Sequence, residues 1–234
     1  MDLTSIKAII FDKDGTLFDF EATWADWAAG AVEVMADGDQ ARMQAMAEAL
    51  DYDLETRSFA ASSSVIAGTV EEQARALMPY IPGRAVAEIT RQMNALAAGA
   101  PQVEVTPLVP FCEGLIAAGY KLGIATNDAE SSALAHLAGA GVADFFHFIA
   151  GYDSGWGGKP EPGQLLAFAK ALALPPEEIA MVGDSTHDLI AARAAGMIAI
   201  GVLTGPADEA ALEPFADLIL PSIAELVDCL SECP

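Results

Sequence analysis

Positive charge is scarce in this chain. Of 234 residues only 11 are lysine or arginine, against 34 aspartate or glutamate, which gives a formal net charge of −23. A surface of that sign repels nucleic acid and anionic membrane, so neither is expected as a partner. It also repels phosphate esters at long range, so any phosphate chemistry here needs a local cation and a few placed basic groups. Cysteine is scarce too. Cys112, Cys229 and Cys233 form no CxxC pair, and an odd, scattered set argues against a disulfide framework or a structural zinc. No run approaches the roughly 18 apolar residues of a membrane span. The N-terminus lacks a basic stretch leading into a long apolar one, so no signal peptide is expected. Internal repeats and low-complexity tails are missing. These absences predict a soluble, cytoplasmic protein.

Apolar residues are abundant. They make up 53% of the chain, enough for one large domain or a domain with an insert, and too many for a disordered one. Alternating strand and helix signals run from about residue 111 to the end. Strands are expected at 121–126, 146–150, 180–182, 198–202 and 218–220, with helices at 111–118, 131–138, 161–171, 188–195 and 223–230. That alternation predicts a Rossmann-like parallel sheet with helices on both faces. Residues 19 to about 99 read differently. They are rich in alanine, glutamate, methionine and glutamine, with helical spacing at 21–36, 39–50, 70–78 and 84–98. Residues 99–110 form a proline-bearing return. An α-helical insert, residues 19–103, is thus expected between two parts of an α/β core, 1–18 and 104–234. Leaving the sheet after Asp14, it is placed to roof whatever lies there.

The most informative stretch is Ile9-Ile10-Phe11-Asp12-Lys13-Asp14-Gly15-Thr16-Leu17. A short, branched and aromatic run reads as a buried strand, and Asp12 and Asp14 follow its C-terminal end. In an open parallel sheet that end binds ligands. Paired carboxylates need positive charge between them, and a hard divalent cation with oxygen ligands, such as Mg2+, suits them. Three further stretches follow expected strands. Thr126-Asn127 offers a hydroxyl and backbone N–H groups, or simply a helix cap. Gly158-Lys159-Pro160 carries one of only five lysines, placed on a proline-stiffened loop; a surface lysine is the plain alternative. Gly183-Asp184-Ser185-Thr186-His187-Asp188 adds two carboxylates on one loop, where capping accounts for Ser185 and Thr186 but not for the second acid.

Together, in this order, the four pieces resemble the haloacid dehalogenase superfamily over essentially the whole chain, in the subgroup containing phosphoglycolate phosphatases. The helical insert looks like that family's cap. The resemblance implies a Mg2+-dependent phosphatase acting on a small phosphorylated metabolite, phosphoglycolate-like or a sugar phosphate. Asp12 would be the nucleophile and Asp14 the proton donor and acceptor. Lys159 would neutralise charge, and Gly15, Thr126, Asn127 and Lys159 would meet the phosphoryl group. Mg2+ would bind Asp12, Asp14 (through its backbone carbonyl) and Asp184, with Thr16 and Asp188 supporting. The superfamily's dehalogenases lack the second aspartate, since halide needs no proton. A phosphohexose mutase of the same superfamily is the alternative. A phosphonate hydrolase with a cap lysine is disfavoured, because no lysine lies in 19–103, and a non-catalytic binding protein is disfavoured because Asp12 and Asp14 both remain. Monomer or homodimer is expected.

Other residues invite a role. Trp24 and Trp27 read as cap core or as pocket lining. Trp156 sits on a glycine-rich loop that could contact substrate. His136 and His147 have no partner in view, and His187 lies within the last motif. Arg42, Arg57, Arg75, Arg84 and Arg91 are five of the six arginines, all in the insert, so either one of them supplies a roof cation for a carboxylated substrate or all five are solvated helix-surface residues.

Overall fold

Ala8–Phe11 form β1, and all four residues are buried. Their side chains alternate between the two faces of the sheet. Ile9 and Phe11 enter one hydrophobic cluster, while Ala8 and Ile10 enter another, as the twofold period of a strand requires. Both faces are covered, which is why the run is continuously apolar. The structure, a computed structural model, describes residues 3–60 and 62–231, so Cys233 lies outside the described residues.

After β1 the chain leaves the sheet. It forms α1 (Phe20–Ala36) and α2 (Gln40–Ala49), then a small antiparallel ribbon of β2 (Tyr52–Asp53) and β3 (Ser58–Phe59). α3 (Ser64–Ala67), α4 (Val70–Leu77) and α5 (Val86–Ala97) follow. Residues between Phe20 and Ala100 bury a hydrophobic cluster of their own, with Val32, Met46, Leu77, Ile89 and Met93 at its centre. The chain then returns through α6 (Leu108–Ala117), β4 (Lys121–Ala125), α7 (Glu130–Gly139), β5 (Phe146–Ala150), α8 (Gly163–Leu172), β6 (Ile179–Gly183), α9 (Thr186–Ala195), β7 (Ile198–Val202), α10 (Glu209–Leu212), β8 (Leu218–Leu220) and α11 (Leu226–Ser231).

The main sheet has six strands in the order β5-β4-β1-β6-β7-β8, and each neighbouring pair is parallel. With helices on both faces it is the expected Rossmann-like fold. β1 is flanked by β4 and β6, so the strand order reverses beside it, and the C-terminal ends there open a ligand crevice. The expected core strands are found within a residue. α6 starts three residues earlier than expected, at Leu108, because Pro110 sits in its first turn, where a missing N–H costs nothing. The ribbon, α3 and α10 were not expected; each is too short to show a period. Among the described residues no helix is long and apolar enough to cross a membrane.

Candidate active site

Register brings the motif loops together. Phe11 pairs with Val182 on one side and Ile124 on the other. Asp12 then donates its N–H to Val182 O at 2.9 Å, and Thr126 donates to Ala150 O at 3.0 Å. Asp12, Thr126 and Asp184 therefore each follow a strand at the same edge.

Four charged side chains meet there. Lys159 Nζ lies 2.7 Å from Asp12 Oδ1 and 2.6 Å from Asp188 Oδ1. Carboxylate oxygens of Asp12, Asp184 and Asp188 all fall within 4.8 Å of one another. Thr16 donates its hydroxyl to Asp184 Oδ1 at 3.2 Å. Asp188 also completes a capping box on α9. Its Oδ2 accepts from the Ser185 N–H at 2.9 Å and hydroxyl at 2.7 Å, which leaves Oδ1 for the lysine. Burial pushes the Asp12 carboxyl up to about 7; Lys159 offsets part of this, and Asp188 and Asp14 add to it. Burial, with Asp12 and Asp188 alongside, drives Asp184 well above the carboxylate range. For Lys159 burial acts downward, but Asp12 and Asp188 outweigh it and hold the ammonium charged. Three carboxylates sharing one ammonium are short of positive charge.

A second network lies beneath Asp14. The fully buried Lys13 donates to Asp14 Oδ1 at 2.7 Å, lies 3.3 Å from Asp128 Oδ2 and 3.0 Å from His136 Nδ1, and stands 5.3 Å from the Trp24 ring centroid. An ammonium has only donors, so Nδ1 accepts. His136 Nε2, 2.8 Å from Ala97 O, carries the proton and donates it. Burial and the adjacent Lys13 lower the imidazole to about 4. His136, for which no partner was in view, has two.

The cleft above these groups is narrow, with about 50 Å3 open to the centre of a water-sized sphere. Its floor comprises Asp12, Asp14, Thr126, Asn127, Asp128, Lys159, Ser185, His187 and Asp188. Its roof, all from residues 20–97, is apolar apart from Gln73. Trp24 and Trp27 serve both proposed roles, since each is buried in the insert's cluster and each lines the cleft. Trp156 does not line it; its ring packs 5.3 Å from Phe148. None of the five insert arginines lines it either. Arg42 pairs with Asp39, Arg57 with Asp26 and Arg75 with Glu71, Arg84 donates to Gln92 Oε1, and Arg91 is exposed. Among the described residues no arginine of the insert supplies a roof cation: helix spacing gave Arg42 and Arg75 an acid each, Arg57 found one at Asp26, and Arg84 turned to an amide.

The model of the haloacid dehalogenase-like hydrolase family matches residues 6–196. The chain belongs to this family. It is 30% identical over 217 residues to a phosphoglycolate phosphatase of Salmonella typhimurium, covering 87% of this chain and 83% of that one. A phosphoglycolate phosphatase of Chromobacterium violaceum is 44% identical over 105 residues, 45% of this chain and 46% of that one. Among solved structures, a predicted phosphoglycolate phosphatase of Haemophilus somnus superposes with a TM-score of 0.72 at 21% identity, covering 97% of this chain and 98% of that one. β-Phosphoglucomutase of Clostridium difficile superposes at 0.68 with 20% identity, covering 94% and 93%; at such identities the likeness concerns the fold. The protein is a phosphatase of the haloacid dehalogenase-like family.

Three residues add detail to the family expectation. Gly15 does not offer its N–H to a phosphoryl group, because that N–H is bonded to Phe18 O at 2.7 Å. Its role is space: at φ +78° it lets Asp184 approach, and a Cβ there would lie 2.3 Å from Asp184 Oδ2. Asn127 has no amide free for phosphate either. Nδ2 donates to Ala67 O at 2.7 Å and Lys159 O at 2.8 Å, and Oδ1 accepts from Lys159 N at 2.7 Å. Asn127 thus fixes the lysine loop. The Asp14 carboxylate turns to Lys13, which is compatible with the expected use of its backbone carbonyl, and Asp188 joins Asp12 and Asp184 in the acidic cluster.

The cluster fits a hard divalent cation. Its donors are all carboxylate oxygens, and one ammonium, Lys159, is the positive charge set against three of them. Gly205 lets the backbone close on Asp184: a Cβ there would lie 1.7 Å from Asp184 Oδ2.

Proposed function

We propose that the protein is a Mg2+-dependent phosphatase that hydrolyses a small phosphorylated metabolite through an aspartyl-phosphate on Asp12. The observation that carries this reading is the Asp12–Lys159–Asp188–Asp184 constellation at the open end of β1 and β6. Residues 1–18 and 104–234 serve as the catalytic core and 19–103 as its cap.

An Asp12 oxygen attacks phosphorus, and the bond to the leaving oxygen breaks. Lys159 holds that carboxylate in place and balances its charge. Asp14 lines the same cleft on the floor. It gives a proton to the leaving oxygen, then takes one from the water that attacks the aspartyl-phosphate, releasing inorganic phosphate and restoring Asp12. Thr126 and the backbone N–H of Asn127 orient phosphoryl oxygens, while Lys13 holds Asp14. Asp12, Asp184 and Asp188, with the Asp14 carbonyl, would hold Mg2+. When bound, that ion supplies positive charge and fixed geometry to the phosphoryl oxygens.

The names of the relatives make phosphoglycolate and sugar phosphates the first esters to assay. A phosphohexose mutase, the alternative, must grip a polyhydroxylated sugar, and the roof has little to grip it with. Phosphate release from a panel of esters, with and without Mg2+, tests the proposal. Asp12→Asn is expected to lose more than about a thousandfold in kcat with an unchanged circular dichroism spectrum. Retained turnover in a clean preparation refutes the nucleophile.

A further inference from the structure

The roof carries a chemical signature of its own. Phe20, Trp24, Trp27, Val65, Ile66 and Val70 give it a broad apolar face, and no charged residue of the cap reaches it. Trp24 and Trp27 stand edge to face, with centroids 5.0 Å apart at 88°. Trp24 is further held against Lys13, so the face is rigid.

Two polar atoms interrupt that face, and both are unpartnered among the described residues. Trp27 Nε1 is buried without an acceptor, and Gln73 Oε1 is buried without a donor. Both residues line the cleft and are more than nine-tenths buried, at 8% and 4% exposure. The Gln73 amide orientation follows from its surroundings. Nε2 faces the carbonyl of Ser64 at 3.5 Å, and a carbonyl only accepts, so Oε1 is the atom left without a partner. Buried polar groups are nearly always satisfied. One unsatisfied donor and one unsatisfied acceptor in a ligand cleft mark the place of a group that both accepts and donates.

Resting on the phosphatase reading above, we propose that the preferred ester has an uncharged leaving group, with an apolar body and one hydroxyl or amide. The apolar body lies against the tryptophans. The hydroxyl or amide accepts from Trp27 N–H and donates to Gln73 Oε1. A carboxylate in the same place meets no roof cation and faces the Asp14 and Asp128 carboxylates below. His187, next to Asp188 on α9, lines the cleft from the core side, and its buried Nδ1 is also unpartnered among the described residues.

The test compares kcat/KM for benzyl phosphate, hydroxymethyl-benzyl phosphate and phosphoglycolate, all alkyl esters of similar intrinsic reactivity. The expected order is hydroxymethyl-benzyl, then benzyl, then phosphoglycolate, with at least about tenfold between the first and the last. Trp27→Phe and Gln73→Leu are each expected to shrink the advantage of the hydroxymethyl ester over the plain benzyl ester by about tenfold. Phosphoglycolate leading the series overturns the proposal, and so do variants that lower both benzyl esters in equal proportion. The ranking in the parent protein needs no variant to fold. If no ester is cleaved, p-nitrophenyl phosphate included, the phosphatase reading falls as well. If p-nitrophenyl phosphate is cleaved and the order is reversed, only the present inference falls.

Discussion

His136 lets the buried network beneath Asp14 be measured without reference to catalysis. In the folded protein its neutral ring is fixed by Lys13 on one side and Ala97 O on the other. A further proton must go on Nδ1, facing an ammonium. The imidazole is accordingly lowered from 6.5 to about 4. The unfolded chain takes up that proton as pH falls through about 6.5, while the folded chain does so only near 4. Between these values the unfolded state binds more protons, so stability falls as pH falls. At about 1.4 kcal/mol per pH unit of difference, the loss between pH 7.5 and pH 5 is about 2 kcal/mol. His136→Gln keeps one acceptor and one donor and removes the titration. Urea unfolding of both proteins at the two pH values is the assay, and comparing them cancels the acid response of the carboxylates. The stability gap, parent minus variant, is expected to shrink by about 2 kcal/mol on acidification. A gap constant to within about 0.5 kcal/mol refutes the neutral, lysine-facing assignment.

Two further outcomes are expected. Mg2+ should raise the thermal midpoint by roughly 5–10 °C at a hundredfold excess over its dissociation constant, EDTA should reverse the shift, and Asp184→Asn should abolish it; a shift that survives in that variant places the ion elsewhere. Cys112 is buried, and its thiol is pushed up to about 12 by burial and by Glu104, so iodoacetamide at pH 8 should label it only in denaturant; rapid native labelling contradicts the packing of α6.

How far the site was legible depended on what each residue's neighbours are. Asp12, Asp184 and Lys159 could be read because each follows a strand or sits on a loop where sequence order predicts spatial order. Lys13 could not. A lysine reads as exposed; Asp14 beside it does most to keep it charged, but the burial itself and two of its partners come from elsewhere, Asp128 from the loop after β4 and His136 from α7, 123 residues away. Asp188 was read as a supporting residue because its capping role with Ser185 is local, whereas its contact with Lys159 depends on the packing of two separate loops. The insert arginines were misplaced for a related reason. Helical spacing says which residues share a face, but not which face meets the core, and short-range acids such as Asp39 and Glu71 had already claimed two of them. At Asn127 the sequence pointed to the backbone N–H and was silent on the side chain, which joins two distant backbones.

That amide belongs to a set. Asn127, Ser132 and His136 each reach across to a carbonyl of the cap, at Ala67, Asn94 and Ala97, at 2.7, 3.5 and 2.8 Å. Every one of these struts ends on main chain. These three bonds ask nothing of the cap's side chains, so a roof side chain that makes no contact of its own with the core can be exchanged without breaking them. Ile66, half-buried at the edge of the cap's cluster, is such a position for changing what the cleft admits, whereas Trp24, held against Lys13, is part of the seating.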